Sequence, residues 1–379
     1  MSSNTLGRLP TPVKVLLVAT TLYLFLVGIG AMSASFKLMG KDYTEQLLGS
    51  HAGPLVSLFI GILATTLVQS SSTTTSIVVG MVAAGVIPFH SAVYMVMGAN
   101  VGTTVTNTIV SIGHITRTAE YERAFAAATV HDFFNLLVLL VLFPLEVKTG
   151  VLDWMAGNAS DLFVGAGGTK LADPIKAATK PTISLLRDAA ESLAGGAAGV
   201  VLLVFAILLT FGMIFSLVKL LKSIMVARVE NLFDRVLFRS AYSSLVFGLL
   251  LTVFVQSSSI TTSLAIPLVG AGVLTISQVM PYTMGANIGT TMTALMASLA
   301  ALAAAEAGEH ETALLGLRLA FHHVLFNVAG VAMMWKLRWL PIRIAEGFAR
   351  LTLWNRLIPL IYIAFTFYLL PLLIILIGR

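Results

Sequence analysis

One unit of this sequence occurs twice. Residues 61–76 read GILATTLVQSSSTTTS, and residues 248–263 read GLLLTVFVQSSSITTS. Farther on, MGANVGTTVT at 97–106 matches MGANIGTTMT at 284–293, and both pairs are 187 positions apart. A third pair, His131-Asp-Phe-Phe-Asn135 against His323-Val-Leu-Phe-Asn327, follows after a five-residue slip. Three matches in the same order mark a duplication, so the chain has to be read as two related halves before any single element is assigned.

Composition decides the solvent of those halves. Hydrophobic residues make up 57% of the chain and charged residues 11%, and the mean hydropathy is +0.94. A soluble domain carries about twice that share of charge, so most of the chain faces lipid or the inside of a helix bundle. Residues 13–36, 200–222 and 354–378 are apolar runs, long enough to cross a hydrocarbon core of roughly 30 Å. Residues 241–255 and 263–274 are equally apolar but are interrupted by Gln256, Ser257, Ser258 and Ser259. The first run is long for a signal-peptide core and no small-residue cleavage site follows it, which reads as a retained helix. The net charge of +6 is accounted for by Lys and Arg in cytoplasmic loops. No basic stripe is interleaved with aromatics, which sets nucleic acid aside as a partner. With no Cys, disulfides, thiolate catalysis and thiolate metal sites are excluded.

Charge also orients the halves. Lys219, Lys222, Arg228, Arg235 and Arg239 face only Glu230 and Asp234 in 219–239, and 336–350 carries Lys336, Arg338, Arg343 and Arg350. Both stretches, and the N-terminus with Arg8 and Lys14, are expected inside. The loop 113–123, with Arg117 and Arg123, falls inside as well. Its counterpart 305–312, with Glu306, Glu309 and Glu311, falls outside. The halves therefore run antiparallel, as in the inverted repeats of secondary transporters. The expected organisation is a first transmembrane repeat at 13–147, an outer-face linker at 148–196, a second repeat at 197–352 and a C-terminal transmembrane helix at 353–379. The linker reads as a surface loop with a short helix at 174–194. The C-terminal helix has no partner in the first half and is free for packing or for a homodimer.

The run Gln69-Ser70-Ser71-Ser72-Thr73-Thr74-Thr75-Ser76 lies between apolar half-segments 53–68 and 77–87. So many side chains able to bond the backbone loosen a helix. Residues 53–112 must also make one net crossing with enough apolar sequence for more. One piece is therefore a re-entrant hairpin or broken helix, which survives at membrane depth only when it lines a cavity or is buried in protein. A lone Ser or Thr is most simply interhelical glue; a Gln with a long hydroxyl run, present twice, points to a site. A broken helix offers N-terminal N–H groups whose dipole favours an anion, and the hydroxyls and the Gln amide add neutral donors. The same oxygens suit a small cation such as sodium. Gly98-Ala-Asn100 and Gly285-Ala-Asn287, each followed by Gly-Thr-Thr, predict a second break. There the glycines serve close helix crossing or the site, and Asn100 and Asn287 lie in or beside it.

Asp132 stands about one turn into the apolar segment 124–144. An ionised Asp at a helix centre costs about 3 kcal/mol and marks function by default, unless it pairs with His131 or Arg123 near the interface. Val324 occupies the matching position, so a cation site in one half is the natural inference. His131 and His323 are proton carriers or hydrogen-bonded core histidines. Asn135 and Asn327 read as helix-to-helix bonds, with cation ligation open to Asn135. Arg123 and Arg318, near segment ends, read as snorkelling side chains.

The paired QSSS motifs, the GAN-(I/V)-GT motifs and ATVHDFFN resemble the type II sodium–phosphate cotransporter family in its short bacterial form, over about 13–147 and 197–352. The resemblance implies an inverted-repeat transporter whose QSSS regions form the phosphate site. It also implies that Asp132, preceded by the small Ala126 and Ala128, ligates an extra sodium and makes transport electrogenic. The large cysteine-bridged outer loop of animal members is missing, and the loop 114–123 differs from theirs.

The expectation is thus an all-α polytopic integral membrane protein with an inverted-topology repeat, carrying inorganic phosphate with sodium across a cell inner membrane. It is expected to be no enzyme and to need no cofactor beyond co-transported sodium. Gln69, Ser70, Ser71, Ser72, Thr73, Asn100, Gln256, Ser257, Ser258, Ser259 and Asn287 are the phosphate candidates. Asp132, Asn135, Thr104, Ser76, Thr291 and Ser263 are the sodium candidates. Rivals are another oxyanion or proton coupling through His131, an intramembrane serine hydrolase (though G-x-S-x-G is absent) and a passive channel.

Overall fold

The computed structural model describes residues 10–39, 53–103, 107–108, 110–111, 118–237, 240–305, 309–355 and 357–378. Arg8, Thr104, Arg117, Arg239 and Glu306 lie outside the described residues. Every regular element among the described residues is helical, with no strand. Among the described residues six helical runs are long and apolar enough to span a membrane: Pro12–Phe36, Thr118–Thr149, Gly168–Leu217, Ile276–Ala304, His310–Met334 and Ile358–Ile377.

The duplication is legible element by element. Helix α1 (Thr11–Met39) opens the first half. A hairpin of α2 (Pro54–Val68) and α3 (Ser71–Ala83) follows, then α4 (Phe89–Val101), α5 (Thr118–Thr149) and α6 (Val151–Gly165). After the bridging helix α7 (Ala172–Ala194), the second half repeats the order. It comprises α8 (Ala198–Leu237), a hairpin of α9 (Ala241–Val255) and α10 (Ser258–Gly270), α11 (Ile276–Ala304), α12 (His310–Met334) and α13 (Trp339–Trp354). The chain closes with α14 (Ile358–Ile363), a π-helical stretch at Ala364–Leu369 and α15 (Leu370–Ile377).

The halves are interlocked rather than side by side. Helix α6 of the first packs on α12 of the second, and α13 of the second packs on α5 of the first. The return helices behave alike, α3 lying on α12 and α10 on α5. Glu146 near the end of α5 meets His322, and Asp153 at the start of α6 meets Arg318. The end of α5 therefore lies beside the first half of α12, and the two helices run antiparallel. Gly85, after α3, sits by Thr312 at the start of α12, whereas Gly272, after α10, sits by Arg123 at the start of α5. The two hairpins thus open toward opposite ends of the bundle.

Glycine makes the hairpins compact. A Cβ on Gly98 would run into the Leu58 carbonyl and lie 3.0 Å from the Ile62 nitrogen; on Gly285 it would meet the Leu245 carbonyl and lie 2.9 Å from the Leu249 nitrogen. Here α4 and α11 press backbone to backbone on α2 and α9. The expected break at the second GAN motif is not found: α11 runs unbroken from Ile276 to Ala304 through Gly285 and Asn287. Glycine there serves close approach, and the helical ladder stays intact. In the first half α4 does end at Val101, one residue past Asn100. In the segment 148–196 the helix expected at 174–194 is found as α7, and α6 makes most of the remainder helical rather than loop. Its small and charged residues fit helices half-exposed on the bundle, with α7 packed against α1, α8 and α11.

Candidate functional site

Helices of 13–15 residues such as α2, α3, α9 and α10 are about 20 Å long and cannot cross a membrane core. Each pair therefore breaks at its Gln-Ser step. Gln69 caps α2 in the left-handed region at φ 57°, ψ 27°, and Gln256 caps α9 at φ 57°, ψ 23°. They are the only non-glycine residues with positive φ among the described residues. Such backbone costs about 1–2 kcal/mol outside glycine, so strain at matched positions marks a geometry the fold insists on.

The next residue starts a new helix. The Ser70 Oγ accepts from the Thr73 amide at 3.2 Å and the Ser257 Oγ from the Ile260 amide at 3.4 Å. The amides of Ser71, Ser72, Ser258 and Ser259, in the first turns, have no acceptor within their helices. These are the donors that a helix N-terminus presents to an anion. Ser71, Ser72, Thr73, Ser258 and Ser259 are all buried. Thr73 spends its hydroxyl proton on Ser70 Oγ at 2.8 Å, a bond its counterpart Ile260 cannot make. The Gln side chains differ from the expected donors: each Nε2 bonds a backbone carbonyl of its own helix, that of Thr66 or Val253. Gln256 then presents its Oε1, which accepts from Thr293 Oγ1 at 2.7 Å.

Between the hairpins lies a buried cluster of imidazoles and amides. His131 Nε2 is 2.6 Å from Asn287 Oδ1, and Asn287 Nδ2 donates to Asn135 Oδ1 at 2.6 Å. Asn135 Nδ2 donates to the Asn100 carbonyl at 3.1 Å. His323 Nε2 stands 3.4 Å from Asn100 Oδ1. His131 Nε2 thus stands between the Asn287 Oδ1, which accepts, and the Asn135 Nδ2, 3.1 Å away, which donates. The pairing crosses between halves: the GAN asparagine of each faces the histidine of the other. Asn100 lies two residues before Gly102, whose carbonyl takes a bond from Thr66. Asn287 lies two residues before Gly289, which packs on Thr252. Both hairpin tips are thereby tied to one cluster.

Asp132 is fully buried beside this cluster, 3.9 Å from His131 Nδ1. Of the sodium candidates, Asn135 enters the cluster directly. Ser76, Ser263 and Thr291 donate within their own helices, to Ser72, Ile260 and Ile288 carbonyls at 2.8, 2.9 and 2.7 Å, which leaves their oxygen lone pairs available. Asn327 bonds the His323 carbonyl of its own helix at 3.0 Å rather than a neighbour.

Two arginines expected to snorkel do otherwise. Arg123 grips the Gly270 carbonyl with Nε and Nη2 at 3.0 and 2.7 Å, fastening the end of α10 to α5. Arg318 meets Asp153 at 2.7 Å and lies 5.0 Å over the Phe89 ring. No spacing in the sequence announced these ties, nor the buried His322–Glu146 pair at 3.4 Å, because each joins segments far apart in the chain. A cleft of about 530 Å³ containing Arg123, Thr275 and Glu346 lies at the start of α11. One of about 280 Å³ containing Lys176, Thr179 and Lys180 lies at its other end.

Asn287→Leu would remove the Asn287 partner of both His131 Nε2 and the Asn135 side-chain oxygen. The expected loss is about 2 to 4 kcal/mol, read as a lower unfolding temperature of the purified protein in detergent. An unchanged melting curve would show that the cross-pairing carries no weight.

Two broken hairpins, opening to opposite ends and joined by a buried polar cluster, define a duplicated polytopic membrane protein with a polar centre built from both halves. The match to the Na+/Pi-cotransporter family covers residues 24–172 and 204–348, and the chain belongs to that family. It is 32% identical over 430 residues to the sodium-dependent phosphate transport protein 2A of Rattus norvegicus, covering 94% of this chain and 66% of the relative. It is 30% identical over 450 residues to the sodium-dependent phosphate transport protein 2B of Homo sapiens, covering 95% and 64%. The chain spans about two thirds of the length of these curated relatives. No solved structure matches it significantly.

Proposed function

We propose that this chain is a sodium-coupled symporter of inorganic phosphate working by alternating access in a cell inner membrane. The observation that carries the reading is the matched pair of broken hairpins, Gln69–Ser70 and Gln256–Ser257, opening to opposite ends yet tied to one buried cluster. Family membership and the names of the relatives supply the solutes. The clefts at the two ends of α11 serve as vestibules, and the halves form an inverted-topology repeat whose Arg123 end faces the cytoplasm.

Phosphate is held by the first-turn amides and hydroxyls at Ser70–Thr73 and Ser257–Ser259, with Gln69, Gln256, Asn100 and Asn287 shaping the site. A neutral donor set holds a dianion without locking it in place, and sodium offsets its charge. Asp132 and Asn135 supply the cation ligands next to the cluster, with Ser76, Thr104, Ser263 and Thr291 as hydroxyl ligands. Asp132, present in one half only, makes the cycle electrogenic.

The test is uptake of radiolabelled phosphate into proteoliposomes under an imposed sodium gradient, against potassium, at zero and negative-inside potential. Uptake that requires sodium and grows with the potential is expected. Uptake equal in potassium would sink sodium coupling, and uptake indifferent to potential would sink electrogenicity alone.

A further inference from the structure

Two threonines at matched positions carry buried hydroxyls with no hydrogen-bond partner among the described residues. Thr65 and Thr252 are 187 positions apart and fully buried, and among the described residues neither Oγ1 has a hydrogen-bond partner. A helical threonine ordinarily satisfies its hydroxyl on the carbonyl one turn back, as the neighbouring Thr66 does on Ile62 at 2.8 Å. Thr65 and Thr252 do not, and the cause is steric. A Cβ on Gly102 would lie 2.7 Å from the Thr65 Cβ and 3.1 Å from its Cγ2; on Gly289 it would lie 2.7 and 3.2 Å from the same atoms of Thr252. The close helix crossing thus holds each side chain with its methyl against the glycine.

Each hydroxyl also has matched surroundings. The Ile62 and Leu249 carbonyls, each three residues earlier, stand against the same glycines, 2.5 and 2.6 Å from where a Cβ would be. Gln69 and Gln256 follow one turn later. The oxygens of these neighbours are all neutral, and among the described residues no cluster of three His, Cys, Asp or Glu forms a metal cage. Hydroxyl and carbonyl oxygens without carboxylates suit a hard monovalent cation better than a divalent one.

We propose that Thr65 and Thr252 are cation ligands, one at the root of each hairpin tip, for an ion of sodium's size. Taking sodium as that ion rests on the transport reading above. The two sites are related by the duplication, unlike Asp132, which has no counterpart.

The test measures thermal unfolding of the purified full chain in sodium chloride and in choline chloride at equal ionic strength. Wild type is expected to gain stability in sodium. Thr65→Val and Thr252→Val are each expected to raise the half-maximal sodium concentration by about tenfold, and the double variant to lose the response. Thr→Ser at either position is expected to keep it. In choline the valine variants should melt at or above the wild-type temperature, because a methyl replaces an unsatisfied hydroxyl of the same shape; this shows that they fold. Valine variants with the wild-type sodium response, or a wild type indifferent to sodium, would overturn the proposal. A wild type stabilised by sodium that drives no phosphate uptake would leave the ion site standing and remove the transport reading instead.

Discussion

Asp132→Gly is expected to leave sodium-driven phosphate uptake in place and to remove its dependence on membrane potential. The carboxylate is fully buried on α5, and its counterpart in the second half is Val324. A buried charge in a membrane bundle is costly and persists where it handles ions. Each net charge moved per cycle adds about 2.3 kcal/mol per 100 mV, or about 50-fold in attainable accumulation. Proteoliposomes held at zero and at negative-inside potential would read that factor directly, with Asp132→Asn removing charge at nearly constant shape. If either variant still responds to potential as wild type does, the charge is carried elsewhere.

Gly98→Ala and Gly285→Ala are expected to prevent stable folding, at a cost above about 3 kcal/mol each. The added Cβ would strike the backbone carbonyl of Leu58 or Leu245, which no rotamer change can relieve. Gly347→Ala on α13 is the control: nothing lies within 4 Å of its Cβ position, and alanine is the better helix former. The measurement is the monodisperse yield and unfolding temperature of the three variants in detergent. Alanine at 98 and 285 melting with wild type would mean that the helix crossing is looser than these distances require.

Both predictions use what the sequence made legible. The duplication, the apolar runs and the interrupted half-segments were enough to expect an all-helical polytopic bundle with breaks at Gln69 and Gln256, since Ser and Thr compete with the helix ladder and apolar length sets the spans. The GAN motifs were harder. Their glycines read equally as breaks or as crossings, and in the second half the crossing wins while α11 continues through it. In the linker the helix expected at 174–194 is present as α7, whereas α6 was not legible because small and charged residues suit a loop and a half-exposed helix alike.

The sequence by itself determined the repeat, the solvent of its helices and the residue types at its polar centre, because each follows from local spacing and transfer energy. Only the tertiary structure decided which partners those residues take. That the histidine of one half meets the asparagine of the other, that Arg123 fastens Gly270, and that Thr65 and Thr252 keep their hydroxyls unspent depends on how the halves interlock. Such contacts join residues far apart in the chain, and no periodicity along it records the distance between two helices that glycine allows to touch.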